Sequence, residues 1–331
     1  IDPDTGQERY EQSYDTNNGF DWTQGVNWST SPGAVDNSQT VRNLYYQAQL
    51  NWVRSFGKHN VTAMGVFSRQ ENARGSVMPT YREDWAFRTT YNYADRYFIE
   101  YNGAYNGSEK FSPENRFAFF NSGAIGWMIS EEPFMKFFRE KKIVDMLKVR
   151  ASYGEIGSDQ LGPDPFDSSR RWLYMNQWAY GGHTTMDLNQ TQSIYTWYRE
   201  SAIGNKDIQW EVVKKLNVGI DYSFLEGLFA GSVEFFRDVR SNIFVYGGDR
   251  SIPSYFGGTP PSVNKGKIRT SGYELELRIN KTFANDLRVW GNFSMTHARN
   301  KVLVKDDQAL RPGYQKAAGH AVNQYTSYID A

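Results

Sequence analysis

The stretch from Trp210 to Asp238 restricts what this chain can fold into more than any other. Leu216, Val218, Ile220 and Tyr222 alternate with Asn217, Gly219, Asp221 and Ser223. Successive strand side chains leave opposite faces of a pleated backbone, so this spacing predicts a strand with one oily and one wet side. A turn over Phe224 to Gly227 reverses the chain, after which Phe229, Gly231, Val233 and Phe235 alternate with Ala230, Ser232 and Glu234. Each arm runs to about ten residues, roughly twice a common soluble strand. That is close to the ~9–11 residues a tilted strand needs to cross a bilayer.

Composition supports the same reading. Aromatics make up 16% of the 331 residues, with 22 Tyr, 21 Phe and 10 Trp, while mean hydropathy is only −0.67. Many rings in a chain too polar for membrane helices fit a sheet with an oily outside and a wet inside. The sequence holds no uninterrupted apolar run of the ~18 residues that a membrane helix needs. Lys plus Arg and Asp plus Glu both number 37, which removes the basic footprint of a nucleic-acid binder. The absence of cysteine excludes thiolate metal sites and disulfide staples. A first residue Ile1 and a last residue Ala331 in mid-loop lead us to expect an internal piece of a longer polypeptide.

Residues Ile1 to Asn43 read as a polar surface loop that could hold a short strand. Within it Asp2-Pro3-Asp4-Thr5-Gly6 resembles the front of a calcium loop, but the later ligands are missing and an ordinary Asx or proline turn fits better. A strand follows with Leu44, Tyr46, Ala48, Leu50 and Trp52 on one face, then one through Val61, Ala63, Gly65 and Phe67, then a polar loop from Ser68 to Glu83. A second hairpin places Phe87, Thr89, Tyr91 and Tyr93 against Tyr97, Ile99, Tyr101 and Tyr105 across a turn at Ala94-Asp95, and its tyrosines suit a membrane-interface girdle. After Trp127 the sequence predicts a short amphipathic helix, with Ser130 as N-cap, Glu131 and Glu132 at its positive end, and Phe134, Phe137 and Phe138 expected to pack into the nearest rim, the other reading being a membrane-surface or partner-binding element. A strand through Leu147, Val149, Ala151 and Tyr153 leads to an aromatic-rich connection, Glu155 to Asp207, too long to be routine. Another long loop, Val239 to Lys265, precedes a last hairpin of Tyr273, Leu275, Leu277 and Ile279 against Leu287, Val289, Phe293 and Met295.

Brief and extended connections thus alternate along about ten strands. Outer-membrane barrels separate short periplasmic turns from long external loops in this way, and a soluble sandwich has no reason to. The expected class is all-β, part of a large antiparallel transmembrane β-barrel with one short periplasmic helix.

Arg96-Tyr97-Phe98-Ile99-Glu100-Tyr101-Asn102-Gly103, then Gly107-Ser108, Phe111, Asn115-Arg116 and Phe119-Phe120, resembles the barrel of SusC/RagA-type TonB-dependent transporters. The likeness continues in order through Gly126-Trp127, Ser130-Glu131-Glu132, Leu147-Lys148-Val149-Arg150-Ala151-Ser152-Tyr153-Gly154, Trp210-Glu211, Asn217-Val218-Gly219-Ile220-Asp221 and Gly272-Tyr273-Glu274-Leu275-Glu276. Asn121, Lys206 and Ser158 depart from the family pattern at turns. The resemblance implies a whole protein of about 22 strands in the Gram-negative outer membrane. Residues 1–331 would be a partial barrel domain without plug, TonB box or barrel C-terminus.

Catalysis finds little footing. His59, His183, His297 and His320 are scattered, no metal-ligand spacing occurs, and the acid pairs Glu83-Asp84, Glu131-Glu132 and Asp306-Asp307 diverge on any regular backbone. No enzyme activity, catalytic residue, metal or cofactor is expected. The lumen-facing row Arg150, Asp221, Glu234, Glu274, Glu276, Arg278 and Arg288 could line a transport path or hold a plug in place. The long aromatic loop, through Arg171, Trp172, Tyr174, Asn176, Trp178, Tyr180, Tyr195, Trp197 and Arg199, either contacts substrate, because rings adsorb sugar faces and peptide side chains alike, or packs onto itself or onto a partner. The resemblance further implies a SusD-like surface lipoprotein, a TonB complex, a lipid bilayer, and an oligosaccharide or peptide nutrient, with no nucleic acid. The competing class is a soluble β-rich carbohydrate-binding or adhesion domain.

Overall fold

A computed structural model describes residues 10–15, 19–24, 40–75, 78–162, 170–185, 192–284, 286–308 and 310–324. The calcium-type turn at Asp2 to Gly6 lies outside these residues. The chain divides into two units. The smaller, residues 1–41 with 73–78, holds β1 (Tyr10–Asp15) and β2 (Gly19–Gln24), an antiparallel pair with Tyr10 opposite Gln24 and Asp15 opposite Gly19.

The larger unit carries the main sheet. Its strands are β3 (Val41–Phe56), β4 (His59–Arg74), β5 (Thr80–Tyr93), β6 (Tyr97–Ser108), β7 (Phe117–Met128), β8 (Val144–Ser158), β11 (Glu211–Phe224), β12 (Phe229–Val245), β13 (Val263–Thr282) and β14 (Arg288–Val304). These ten lie side by side in sequence order, while β9 (Gln177–Thr185) and β10 (Gln192–Ala202), within the connection from β8 to β11, form a separate hairpin. Pairing is antiparallel from β4 to β14.

The registers carry the two-sided pattern across the sheet. Tyr91, Ile99, Ile125, Ala151, Val218, Phe235 and Tyr273 are successive cross-strand partners, and so are Trp127, Val149, Ile220, Val233, Leu275 and Met295. One residue over, on the opposite face, run Gly126, Arg150, Gly219, Glu234, Glu274 and Thr296. A one-residue slip in any pair would carry apolar side chains to the charged face, so a face this continuous fixes every register. The apolar side is uncovered among the described residues: Leu50 is 77% exposed, Ile125 62% and Phe235 60%. A soluble sandwich would bury such rows against a second sheet.

Tight turns close one end of the sheet. Ala94 and Asp95 have φ of 52° and 56°, and Leu225 and Glu226 have 57° and 55°, the left-handed pair that matches the twist of flanking strands. Asn92 Oδ1 accepts the Asp95 N–H at 3.0 Å and locks the first of these turns. The opposite end carries the longer connections 109–116, 159–210 and 246–262.

Several expectations need correction: the stretch Ile1 to Asn43 holds β1, β2 and the start of β3, and the loop Val239 to Lys265 is strand as far as Val245 and again from Val263. The supposed polar loop Ser68 to Glu83 is mostly strand, since β4 and β5 continue to Asn72 opposite Thr80. Beyond the oily band the ladder persists through polar pairs such as Arg69 with Glu83 at 3.9 Å, because backbone hydrogen bonds do not require apolar side chains. The helix is also shorter than its pattern suggested. Two 3-10 turns, Ile129–Glu131 and Pro133–Met135, precede α1 (Lys136–Glu140), and Ser130 is buried in the first turn and caps nothing. Glu132, ahead of Pro133, adopts φ −74° and ψ 148°, the extended state that a following proline imposes, and this interrupts the helix. Phe134, Phe137 and Phe138 are exposed and are not plugged into a rim.

Candidate functional site

The long-loop end of the sheet is capped by an apolar core. Phe111, Phe120, Leu161, Leu173, Ile208 and Trp210 are all buried together, with the Trp210 ring 5.2 Å from Phe111 and 5.6 Å from Phe120. Phe120 pairs with Ala104 and lies on the charged-face side of β7, so the loops pack inward across the mouth of the sheet. Each fully buried large side chain here contributes ~1.5–3 kcal/mol, enough to hold loops that lack regular structure.

Polar contacts tie these loops to one another. Asp159 accepts Ser108 Oγ at 2.8 Å and pairs with Arg82 at 3.3 Å. Ser112 Oγ donates to the Lys206 carbonyl at 2.9 Å, and Asn205 Nδ2 to the Ser262 carbonyl at 2.9 Å. Glu211, buried at the start of β11, accepts the Phe244 N–H at 2.8 Å and pairs with Arg240. Asp306 joins Arg250 and Lys265 beyond β14. Burial alone raises the Asp306 carboxyl, but hydrogen bonds from Lys265 and Arg250 outweigh it and hold the group below its ordinary value.

The aromatic loop residues separate into a base and a tip. Arg171 is buried, pairs with Glu109 at 2.7 Å, donates to the Pro79 carbonyl and lies 4.7 Å above the Trp172 ring. Trp172 and Tyr174 flank the buried Leu173 and are half-buried themselves, while Asn176 Oδ1 accepts the Gly204 N–H at 2.8 Å and closes the base of the hairpin. The tip is the β9–β10 hairpin. Its registers put Trp178 opposite Glu200 and Tyr180 opposite Tyr198, on one face, with Arg199 opposite Ala179 on the other. The Tyr180 and Tyr198 rings are 5.7 Å apart, and Trp178, Tyr180, Tyr195 and Tyr198 are each more than half exposed. Gly181 is the extra residue of a bulge between the Tyr180–Tyr198 and Gly182–Trp197 pairs; the Trp197 ring occupies the space a Cβ at Gly181 would take. Tyr198 is missing from the sequence-based set, although its neighbours Trp197 and Arg199 are in it.

On the charged face the structure gathers part of the predicted row. Arg150 pairs with Asp221 at 3.1 Å and with Glu234, whose other oxygen accepts Asn217 Nδ2 at 3.0 Å. Its guanidinium lies over Gly219, where a Cβ would come within 3.1 Å of Cζ. Glu276 pairs with Arg278 at 2.8 Å, and Glu274 is exposed beside Glu234 by register. Arg288 stands apart near the β13–β14 turn, donating to Asn280 Oδ1 at 2.9 Å. The acid pairs are dispersed among separate partners: Asp84 takes Arg82 and Glu83 takes Trp85 Nε1, while Glu131 takes Arg139 and Glu132 takes Tyr97 and Trp127. Asp307 accepts the Ala317 and Ala318 N–H groups.

Comparison with known proteins places this arrangement. Residues 2–327 match the family described as TonB dependent receptor-like, beta-barrel. TonB-dependent receptor P3 of Formosa agariphila is 23% identical over 322 residues, covering 88% of this chain and 30% of that protein. TonB-dependent receptor SusC of Bacteroides thetaiotaomicron is 25% identical over 287 residues, covering 75% and 27%. A structure of the RagAB peptide transporter superposes with a TM-score of 0.64 at 17% identity, over 80% of this chain and 31% of that one. The chain therefore spans under a third of the length of the curated relatives it matches. With its two-faced antiparallel sheet and a family match along nearly its whole length, the chain belongs to the TonB-dependent receptor-like β-barrel family, and its strands are staves of an outer-membrane barrel.

Proposed function

We propose that this chain forms part of the wall and outer mouth of a TonB-dependent importer that brings an oligosaccharide or peptide nutrient across the outer membrane. The observation that carries the reading is an exposed apolar face that runs across the paired strands, opposite a face that gathers the charges of Arg150, Asp221, Glu234, Glu274 and Glu276. Such a sheet separates hydrocarbon from an aqueous interior and performs no reaction. A SusD-like surface lipoprotein would close over the loop side, and a TonB complex would act through the plug of the whole protein. The exposed Trp178, Tyr180 and Tyr198 face is the surface we assign to substrate or lipoprotein contact. The charged row centred on Arg150 would hold the plug or line the path.

The test is uptake in cells carrying the complete gene. A strain deleted for it loses growth on one class of nutrient, glycan or peptide, and regains it with the wild-type gene but not with one lacking the TonB-interacting segment. Unchanged uptake of every glycan and peptide supplied would remove the assignment. The alternative, a soluble carbohydrate-binding or adhesion domain, requires a folded monomer in detergent-free buffer.

A further inference from the structure

The segment between β7 and β8 is tied near its start to the apolar face of the sheet. Tyr97 and Trp127 are cross-strand partners at the tight-turn end, and both belong to the apolar face. Glu132, nine-tenths buried, reaches over that face: it accepts the Tyr97 hydroxyl at 2.6 Å and the Trp127 indole N–H at 3.0 Å, with Arg96 at 3.8 Å. A segment held by the tips of two outward-pointing rings sits beneath the lipid-facing wall.

What the segment then presents is apolar. Phe134, in the second 3-10 turn, and Phe137 and Phe138, in α1, are 62%, 56% and 42% exposed. Lys141 lies 4.4 Å above the Phe137 ring, and Lys136 pairs with Glu140 at 3.7 Å. A set of exposed phenylalanines flanked by lysines, next to a Tyr–Trp girdle, has the composition of an interfacial anchor.

We infer that residues 129–143 are a membrane-surface anchor whose Phe134, Phe137 and Phe138 enter the headgroup–acyl boundary of the periplasmic leaflet. The occupant of this apolar patch is phospholipid, because the hydrogen bonds of Glu132 anchor the segment two residues before Phe134 to rings of the apolar face. The inference rests on the assignment of the apolar face to lipid and goes beyond it, since a barrel of this kind could equally tuck such a turn under its lumen.

This chain has no cysteine, so the complete receptor, with any cysteine elsewhere replaced, accepts single nitroxide labels. Labels are placed at Phe134→Cys, Phe137→Cys, Lys136→Cys, Glu140→Cys and, on the wall itself, Ile220→Cys, and the receptor is reconstituted in phosphatidylethanolamine–phosphatidylglycerol vesicles. Collision with oxygen, which concentrates in lipid, is compared with collision with a water-soluble nickel chelate. The inference predicts an oxygen-to-nickel ratio above that of Lys136 and Glu140 at both phenylalanine positions, and highest at Ile220. A phenylalanine label as open to nickel as Glu140, or shielded from both reagents as a protein contact would make it, overturns the anchor while Ile220 remains lipid-exposed. Nickel access at Ile220 would instead overturn the wall assignment beneath it. Two independent phenylalanine sites keep the test valid if one variant fails to fold.

Discussion

Placing a charge on one side of β12 and then on the other should have sharply different costs. From Phe229 to Arg237 the outward side chains of β12 are Phe229, Gly231, Val233, Phe235 and Arg237. At ~3.4 Å per residue and a tilt of ~40°, this span rises about 20 Å along the membrane normal. That is close to the ~25 Å apolar band of such barrels, and it puts Val233 at mid-depth. Val233 lies between Ile220 and Leu275 in the ladder, so an arginine there meets hydrocarbon with no anion on its own face. Val233→Arg should cost ~2–4 kcal/mol, a loss of roughly 30- to several-hundred-fold in the folding equilibrium. Its neighbour Ser232 faces the other way, between Asp221 and Glu276, where an arginine finds carboxylates in water, so Ser232→Arg should stay within ~1 kcal/mol of wild type. The assay is urea unfolding of the complete receptor in lipid vesicles, followed by heat-dependent gel migration. Equal costs at the two positions, or a tolerated Val233→Arg, would refute the assignment of faces.

Trp210→Ala removes the centre of the loop core, where the indole is only 3% exposed, and should cost ~3–5 kcal/mol. Because that core lies at the mouth, limited proteolysis should cleave within 159–210 far faster while the strands stay protected; equal cleavage of both variants would contradict a packed cap. Asp306, held low by Lys265 and Arg250 against the opposing effect of burial, lends stability that is complete above about pH 4, where the unfolded carboxyl ionises. This contribution is lost as pH falls through the folded value. Hydrogen exchange in 246–262, corrected for its intrinsic rate, should therefore accelerate on acidification, and Asp306→Asn should abolish that pH dependence. Glu132 is depressed in the same sense, by the Tyr97 and then the Trp127 hydrogen bond, so Glu132→Gln should blunt acid release of the β7–β8 segment. Trp178→Ala together with Tyr198→Ala should weaken nutrient or lipoprotein binding without changing heat-dependent migration, since both rings are 64% exposed; unaltered binding would remove the hairpin from the contact surface.

The period of two in the sequence carried the faces of the sheet and most of its pairings. Val218 does meet Phe235, Ile220 meets Val233, and Leu277 meets Phe293, because alternation is a local property that pairing then copies from strand to strand. Strand ends were not legible in the same way. Once β4 and β5 leave the apolar band, Glu71 opposite Tyr81 and Asn72 opposite Thr80 look like loop residues although they are in a ladder. The loop cap was hidden for a different reason: Asp159 is joined to Arg82 and Ser108, and Ser112 to Lys206, over separations that no local pattern encodes. Arg171 shows the limit for site residues. Composition marks it as a hydrogen-bonding neighbour of aromatic rings, whereas its burial against Glu109 makes it part of the loop base. The helix expectation failed at Pro133, where the phenylalanine spacing remained while the backbone between Ser130 and Lys136 broke into two 3-10 turns.

Reagent access along β11 tests the division into lipid and water sides most directly. Single cysteines from Leu216 to Ser223 in the vesicle-reconstituted receptor are exposed to a membrane-impermeant maleimide. Positions 217, 221 and 223 should react, and 216, 218, 220 and 222 should stay protected until the lipid is removed. Reaction at every position, or protection of the Asn217–Asp221 side with labelling of the Leu216–Ile220 side, would contradict a wall that faces hydrocarbon with its aliphatic residues.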